Sequence, residues 1–78
     1  MTVTVTLFTI LKKYGKGKIG ENGGVDLPDK ATIRELLSYL DIPDKKGKII
    51  MVNGMPRDEE YRLSEGDVVK VLSFIGGG

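Results

Sequence analysis

One stretch, Thr32 to Leu40, carries the only helical pattern in the chain, and it restricts the fold more than any other feature. Thr32-Ile33-Arg34-Glu35 reads as a capping box: the Thr32 hydroxyl accepts from the Glu35 backbone N–H, and the Glu35 carboxylate returns to the Thr32 N–H. Ile33, Leu36, Leu37 and Leu40 then fall at i, i+3, i+4 and i+7, one face of a helix. Asp41-Ile42-Pro43 is expected to end it, because proline disfavours helix at the residue before it. A single short helix has one apolar stripe to bury. Everything around it reads as strand, so the stripe must lie across one face of a sheet.

On the N-terminal side, Thr2, Thr4 and Thr6 alternate with Val3, Val5 and Leu7. Period two with β-branched residues predicts a half-buried strand, here read over Thr2 to Leu11. Lys12 to Gly24 is a polar, glycine-rich connection. Val25-Asp26-Leu27 is a short second strand, antiparallel to the first if the connection is a wide hairpin. Beyond the helix, Asp44 to Lys48 is a charged loop. Ile49-Ile50-Met51-Val52 is a strand, and Asn53-Gly54 is a tight-turn signal. Met55-Pro56-Arg57 resumes briefly, as an edge strand does, since proline cannot donate to a ladder. Ser64-Glu65-Gly66-Asp67 is a turn. Val68 to Ile75 is the last strand, with Val69 and Val71 inward and Val68, Lys70, Leu72 and Phe74 outward. The expected order is β-β-α-β-(short β)-β. The helical crossover permits the first and last strands to lie parallel and adjacent in mid-sheet.

The core expected from these periods comprises Val3, Val5, Leu7, Leu27, the four helix residues, Ile42, Ile50, Val52, Leu63, Val69 and Val71. No second helix remains to cover the other face of the sheet, so apolar side chains there are open to a partner.

Composition removes most catalytic classes. The 78 residues contain no cysteine and no histidine. Thiolate catalysis, disulfides and the commonest metal ligands and general bases are therefore absent. Neither a resident metal nor a catalytic residue of its own is expected. The net charge of +1 argues against a protein built to neutralise phosphates. Gly15-Lys16-Gly17-Lys18-Ile19-Gly20 formally matches G-x-G-x-x-G, but no helical period follows it, so a dinucleotide site is not expected. Lys12, Lys13, Lys16 and Lys18 read as a solvated hairpin loop or a docking surface for an acidic partner, ahead of a nucleic-acid patch. No secretory or membrane-spanning run stands in the sequence, and a cytoplasmic location is the default expectation. The chain ends Ile75-Gly76-Gly77-Gly78, glycines that cost the most backbone entropy to order.

Taken together, these segments resemble a known family. Leu7-Phe8-Thr9-Ile10-Leu11-Lys12-Lys13-Tyr14-Gly15, the helix Thr32–Leu40, Ile50-Met51-Val52-Asn53-Gly54, Leu63-Ser64-Glu65-Gly66-Asp67-Val68-Val69 and the glycine end are similar to the ubiquitin-like sulfur carriers, the MoaD/ThiS family. The match spans nearly the whole chain in order. Its most specific combination is Val-Asn-Gly, then Leu-x-x-Gly-Asp-x-Val, then a terminal diglycine. The resemblance implies an α+β fold: a ubiquitin-like β-grasp roll over residues 1–74, with a mixed sheet of four to five strands and one helix on one face. Residues 75–78 would form a flexible glycine tail.

The resemblance also implies a role. Gly78 would be adenylated by an ATP-dependent E1-like adenylyltransferase and converted to a thiocarboxylate. Its sulfur would pass to a biosynthetic enzyme, either the molybdopterin synthase large subunit or the thiazole synthase of thiamine synthesis. No cofactor is expected on the chain itself; ATP belongs to the partner. Gly76 and Gly77 would complete the tail, and Leu72, Phe74 and Ile75 would dock the partner. Two departures stand out: the chain ends in three glycines where the family typically ends in two, and Ser73-Phe74-Ile75 occupies the place where the molybdopterin branch often carries prolines. Length favours the molybdopterin branch. The alternatives are a thiamine-type carrier, a ubiquitin-like protein modifier joined through Gly78, and a non-covalent β-grasp binding module.

Overall fold

The computed structural model describes residues 1–15, 17–42 and 48–73. Five strands form one mixed sheet in the order β2-β1-β5-β3-β4. They are β1 (Thr2–Leu7), β2 (Gly24–Asp26), β3 (Lys48–Val52), β4 (Met55–Pro56) and β5 (Val68–Ser73), and the helix α1 (Ile33–Tyr39) lies between β2 and β3 in the chain. β1 and β5 are parallel neighbours, with Val5 opposite Val69 and Leu7 opposite Val71. β2 runs antiparallel to β1, and β3 antiparallel to both β5 and β4. This is the β-grasp arrangement expected from the order of segments.

The core sits between α1 and one face of the sheet. Ile33, Leu36 and Leu40 are fully buried, as are Val3, Val69 and Val71 from the central strands. Every residue expected in the core is buried; Leu11, Val25 and Ala31 join them. Truncating a fully buried leucine such as Leu36 to alanine costs about 2–5 kcal/mol in proteins generally, a large fraction of a small domain's stability.

The capping box forms as expected. Glu35 N–H donates to Thr32 Oγ1 at 3.2 Å, and Thr32 N–H donates to Glu35 Oε1 at 2.8 Å. The other end falls where expected, with Leu40 as the C-cap, and its bonds show what ends it. The helix stops at Tyr39, and Asp41 takes a left-handed backbone with φ 61°. Ile42 N–H bonds Leu37 C=O and Asp41 N–H bonds Ser38 C=O, both at 3.0 Å. That pair of bonds is a Schellman motif with aspartate in the place glycine usually takes. Ile42 and Leu37 are both buried, supplying the hydrophobic contact that accompanies it. Termination is thus settled before Pro43, which lies outside the described residues.

The first strand is shorter than expected. Thr2–Leu11 does not continue as one strand; β1 ends at Leu7, and Thr9–Lys13 forms a 3-10 turn. Phe8 N–H still reaches Val71 C=O at 3.1 Å, then Leu11 N–H bonds Phe8 C=O at 3.1 Å and Tyr14 N–H bonds Leu11 C=O at 3.0 Å. Residues three apart stack in a 3-10 turn, so Leu11 drops into the core and Tyr14 packs beside it. The apolar run therefore buries part of itself by changing period from two to three.

Both hairpin ends rest on positive φ. Asn53 and Gly54, with φ 52° and 85°, form the two-residue turn between Val52 and Met55. Gly23, with φ 88°, lies against β1, where an added Cβ would meet Thr4 Cγ2 at 3.1 Å and Val5 O at 3.3 Å.

Candidate functional site

The face of the sheet turned away from α1 is the candidate site, because the last strand runs along it towards the C-terminus. Side chains alternate across a strand, so the register decides which ones share this face. Val52 opposite Val69 and Ile50 opposite Val71 point to the helix and are buried. The intervening pairs, Met51 opposite Lys70 and Ile49 opposite Leu72, point the other way. On the far side of β5, Thr4 pairs with Val68 and Thr6 with Lys70.

The result is an apolar group across two neighbouring strands, with one lysine at its centre. Ile49 is 40% exposed and Val68 39%; Met51 and Leu72 are half-buried, and Lys70 is exposed. Thr2, Thr4 and Thr6 of β1 continue the face as a polar margin. No helix covers it among the described residues. Desolvating such a group against a partner is favourable at roughly 25 cal/mol per Å² of apolar surface.

Of the expected docking residues, Leu72 lies on this face, in the last described turn of the strand alternation. Phe74 and Ile75 lie outside the described residues, as do Gly76, Gly77 and Gly78. Ile49 and Met51 were not among the expected docking residues. The signal for them was nevertheless present: the parity that assigns Ile50 and Val52 to the core turns Ile49 and Met51 outward.

At the end of β5 away from Ser73, a polar knot fixes the start of the strand. Asp67, only 7% exposed, accepts from Asn53 Nδ2 at 2.9 Å and from the Ser64 backbone N–H at 2.8 Å. Asn53 Oδ1 in turn accepts from Val68 N–H at 2.9 Å. Each carboxylate oxygen of the buried group has a donor, as burial of a charge requires. The role is positional: it sets the register of β5, and hence which residues reach the open face.

The lysine-rich connection divides in two. Lys18 is engaged with the helix end, donating to Tyr39 C=O at 2.9 Å and to Asp41 Oδ2 at 2.8 Å. Lys12 and Lys13 close the 3-10 turn and are exposed. Lys16 lies outside the described residues. Turns, not a helix, follow Gly15 and Gly17, so the segment lacks the helix N-terminus that a pyrophosphate needs. Among the described residues no group of three or more acidic side chains is placed to hold a metal ion, and no helix is long and apolar enough to cross a membrane.

Comparison with known proteins agrees with this geometry. The sequence model of the ThiS family matches residues 5–78. No curated protein sequence matches the chain. Among solved structures, SAMP1 from Haloferax volcanii superposes with a TM-score of 0.71 at 17% identity, with 100% of each chain covered. A protein described as molybdopterin converting factor, subunit 1, from Pyrococcus furiosus also superposes with a TM-score of 0.71, at 22% identity, covering 94% of this chain and 97% of that one. At these identities the likeness is one of fold.

Proposed function

The chain belongs to the ThiS family of ubiquitin-like sulfur carriers, and from that premise we propose that Gly78 is its reacting residue. In this proposal the Gly78 carboxylate attacks the α-phosphate of ATP inside an E1-like adenylyltransferase. A P–O bond to the carboxylate forms, pyrophosphate leaves, and an acyl-adenylate results. Sulfide delivered by the activating system then attacks the acyl carbon, the C–O bond to AMP breaks, AMP leaves, and loss of a proton gives a thiocarboxylate on Gly78.

The chemistry asks little of the chain itself. An α-carboxyl group ionises with a pKa of about 3.3–3.7, so the nucleophile is ready at neutral pH. Glycines carry no side chain to clash in a narrow passage. Four extended residues, Ile75 to Gly78, span about 13 Å at roughly 3.3 Å each, enough to run from a docking face into an enclosed site. Leu72, Phe74 and Ile75 dock the partner, with Gly76 and Gly77 completing the arm.

The observation that carries the proposal is the placement of β5. It is a central strand, locked between β1 and β3, and it delivers Leu72 to an apolar face that also holds Ile49, Met51 and Val68. This placement supports the reading of the open face as the surface that docks a partner. For the sulfur acceptor we propose the molybdopterin synthase large subunit, on chain length and on the likeness to the Pyrococcus protein. A cytoplasmic location accompanies that role.

The test is intact mass spectrometry after incubation with ATP, a sulfur donor and the cognate adenylating enzyme. Replacement of one oxygen by sulfur at Gly78 is expected. Absence of that exchange, or undiminished pathway activity after deletion of Gly77 and Gly78, would overturn the proposal. Thiocarboxylated protein that serves a thiazole synthase and not a molybdopterin synthase would move the acceptor while leaving the carrier role intact.

A further inference from the structure

We propose that Lys12 and Lys13 form a basic rim beside the root of the C-terminal arm, and that this rim pairs with acidic side chains around the entrance of the protein that takes the arm in; the proposal rests on the carrier reading above. Because β1 and β5 are parallel, with Leu7 opposite Val71, both strands finish at the same end of the sheet. The 3-10 turn continues from β1 at that end, and Phe8 N–H ties its start to Val71 C=O at 3.1 Å. Its last turn is basic, with Lys12 and Lys13, and its first turn holds no acid. β3 begins at the same end, where Lys48 stands opposite Ser73.

The other end mixes acids with cations: the Met1 ammonium meets Asp29 at 3.4 Å, and Arg62 donates to Lys30 C=O at 2.9 Å. Thr2, where β1 starts, donates from its hydroxyl to Asp26 at 2.7 Å and from its backbone N–H to Glu65 at 3.0 Å, and Thr4 N–H donates to Asp67 C=O at 2.9 Å. On the lysine side, Lys18 takes up Asp41 at 2.8 Å. Lys12 shares an open groove of about 340 Å³ with Glu21, yet among the described residues no ion pair joins Lys12 or Lys13 to an acid. Lys12 and Lys13 are therefore exposed cations outside any ion pair among the described residues, on the turn that follows β1 at the end where β5 finishes.

Position selects the kind of partner. Side chains at the root of an arm face whatever surrounds the opening that the arm enters. Phosphate recognition along a nucleic acid draws on several cations tracking the backbone, and the overall charge balance supplies no such excess. Exposed charges at the margin of an interface act mainly on the association rate, raising it by about 10- to 1000-fold at low salt.

The experiment measures ATP–pyrophosphate exchange by the cognate adenylating enzyme, with the full chain as the varied substrate, from low salt to 1 M. For the native chain, kcat/KM is expected to fall as salt rises. The Lys12→Glu/Lys13→Glu double variant is expected to lose about tenfold in kcat/KM at low salt, almost all of it in KM, and to converge on the native chain at 1 M, where the screening length is about 3 Å. Lys30→Glu, which lies beyond β2 at the other end, is the control and is expected to behave as native. Circular dichroism of each variant identifies a folding defect, and Lys12→Gln/Lys13→Gln, which removes charge without reversing it, is expected to give an intermediate loss. Equal kcat/KM for the native and double-reversal chains at low salt overturns the rim while leaving the carrier role standing. Failure of the native chain to support exchange overturns both. Salt-sensitive binding of a labelled single-stranded RNA that the double reversal abolishes, with exchange unaffected, overturns the rim in favour of a nucleic-acid surface.

Discussion

Asn53 and Asp67 lie 14 residues apart in the chain and meet through a 2.9 Å hydrogen bond from Nδ2 to Oδ1. One belongs to Val-Asn-Gly and the other to Leu-x-x-Gly-Asp-x-Val, so two separate motifs of the sequence are the two halves of one contact. Asn53 serves it in three ways: it takes the positive φ of the turn, it satisfies a buried carboxylate, and it receives Val68 N–H. Asn53→Ala is expected to destabilise the fold by about 2–4 kcal/mol, since it adds a left-handed alanine to an unpaired buried acceptor. Asn53→Gly removes the same hydrogen bonds but keeps the backbone comfortable, and should lose about 1 kcal/mol less. Urea unfolding curves give both numbers; equal losses would show that the turn's φ contributes nothing.

The aspartate at the helix end yields an ordering. Asp41→Ala keeps a Cβ at φ 61° and removes the partner of Lys18, whereas Asp41→Gly also removes the pair but frees the backbone. The ion pair is largely exposed and is worth about 0–1 kcal/mol. The left-handed conformation costs a non-glycine residue about 1 kcal/mol. Asp41→Gly is therefore expected to be about 1 kcal/mol more stable than Asp41→Ala and close to the native chain. Thermal unfolding of the three proteins decides it; an alanine variant as stable as the glycine variant would remove the Schellman explanation.

Leu11 tests the 3-10 turn. It is 5% exposed and belongs to the main core. Leu11→Ala should cost about 2–4 kcal/mol, as core leucine truncations do. A cost below about 0.5 kcal/mol, typical of an exposed site, would show that Leu11 is not part of the core. Hydrogen exchange adds a local readout, because Tyr14 N–H, bonded to Leu11 C=O, should lose protection along with global stability.

The open face is tested by separating function from stability. Ile49→Ser removes an exposed side chain, so unfolding should change by no more than about 0.5 kcal/mol. In adenylation, loss of a central interface anchor is worth about 2 kcal/mol, or roughly 30-fold in kcat/KM. Thr6→Ser, on the polar margin of the same face, should leave kcat/KM within about twofold. Native-like kinetics for Ile49→Ser would move the docking surface elsewhere.

Much of this was legible in the chain because local physics decided it. The Thr32/Glu35 box, the i, i+3, i+4, i+7 stripe, the positive-φ Asn53-Gly54 turn and the alternation around Lys70 each depend on neighbours a few residues away. The pattern of strand, strand, helix and strands was enough to expect β1 beside β5. What misled was the apolar run after Leu7. Extended and 3-10 backbones both bury Leu11, and nothing within Phe8-Thr9-Ile10-Leu11 separates them; Phe8 bonds Val71, more than sixty residues away. The helix end was legible in place but not in cause: Asp41-Ile42-Pro43 marks it, and the bonds from Asp41 and Ile42 make it before the proline is reached.

By itself, then, the sequence determined the fold class, the core face of each element and the absence of cysteine and histidine chemistry, because side-chain period and residue type are properties of the chain alone. Tertiary structure decided which outward residues become neighbours. Ile49 meets Leu72, Phe8 meets Val71, and Asn53 reaches Asp67 only because strand pairing brings distant segments to within hydrogen-bonding distance, about 4.8 Å between strands. Register is set by the sum of many such pairings and the buried contacts beneath them, and no single segment contains it.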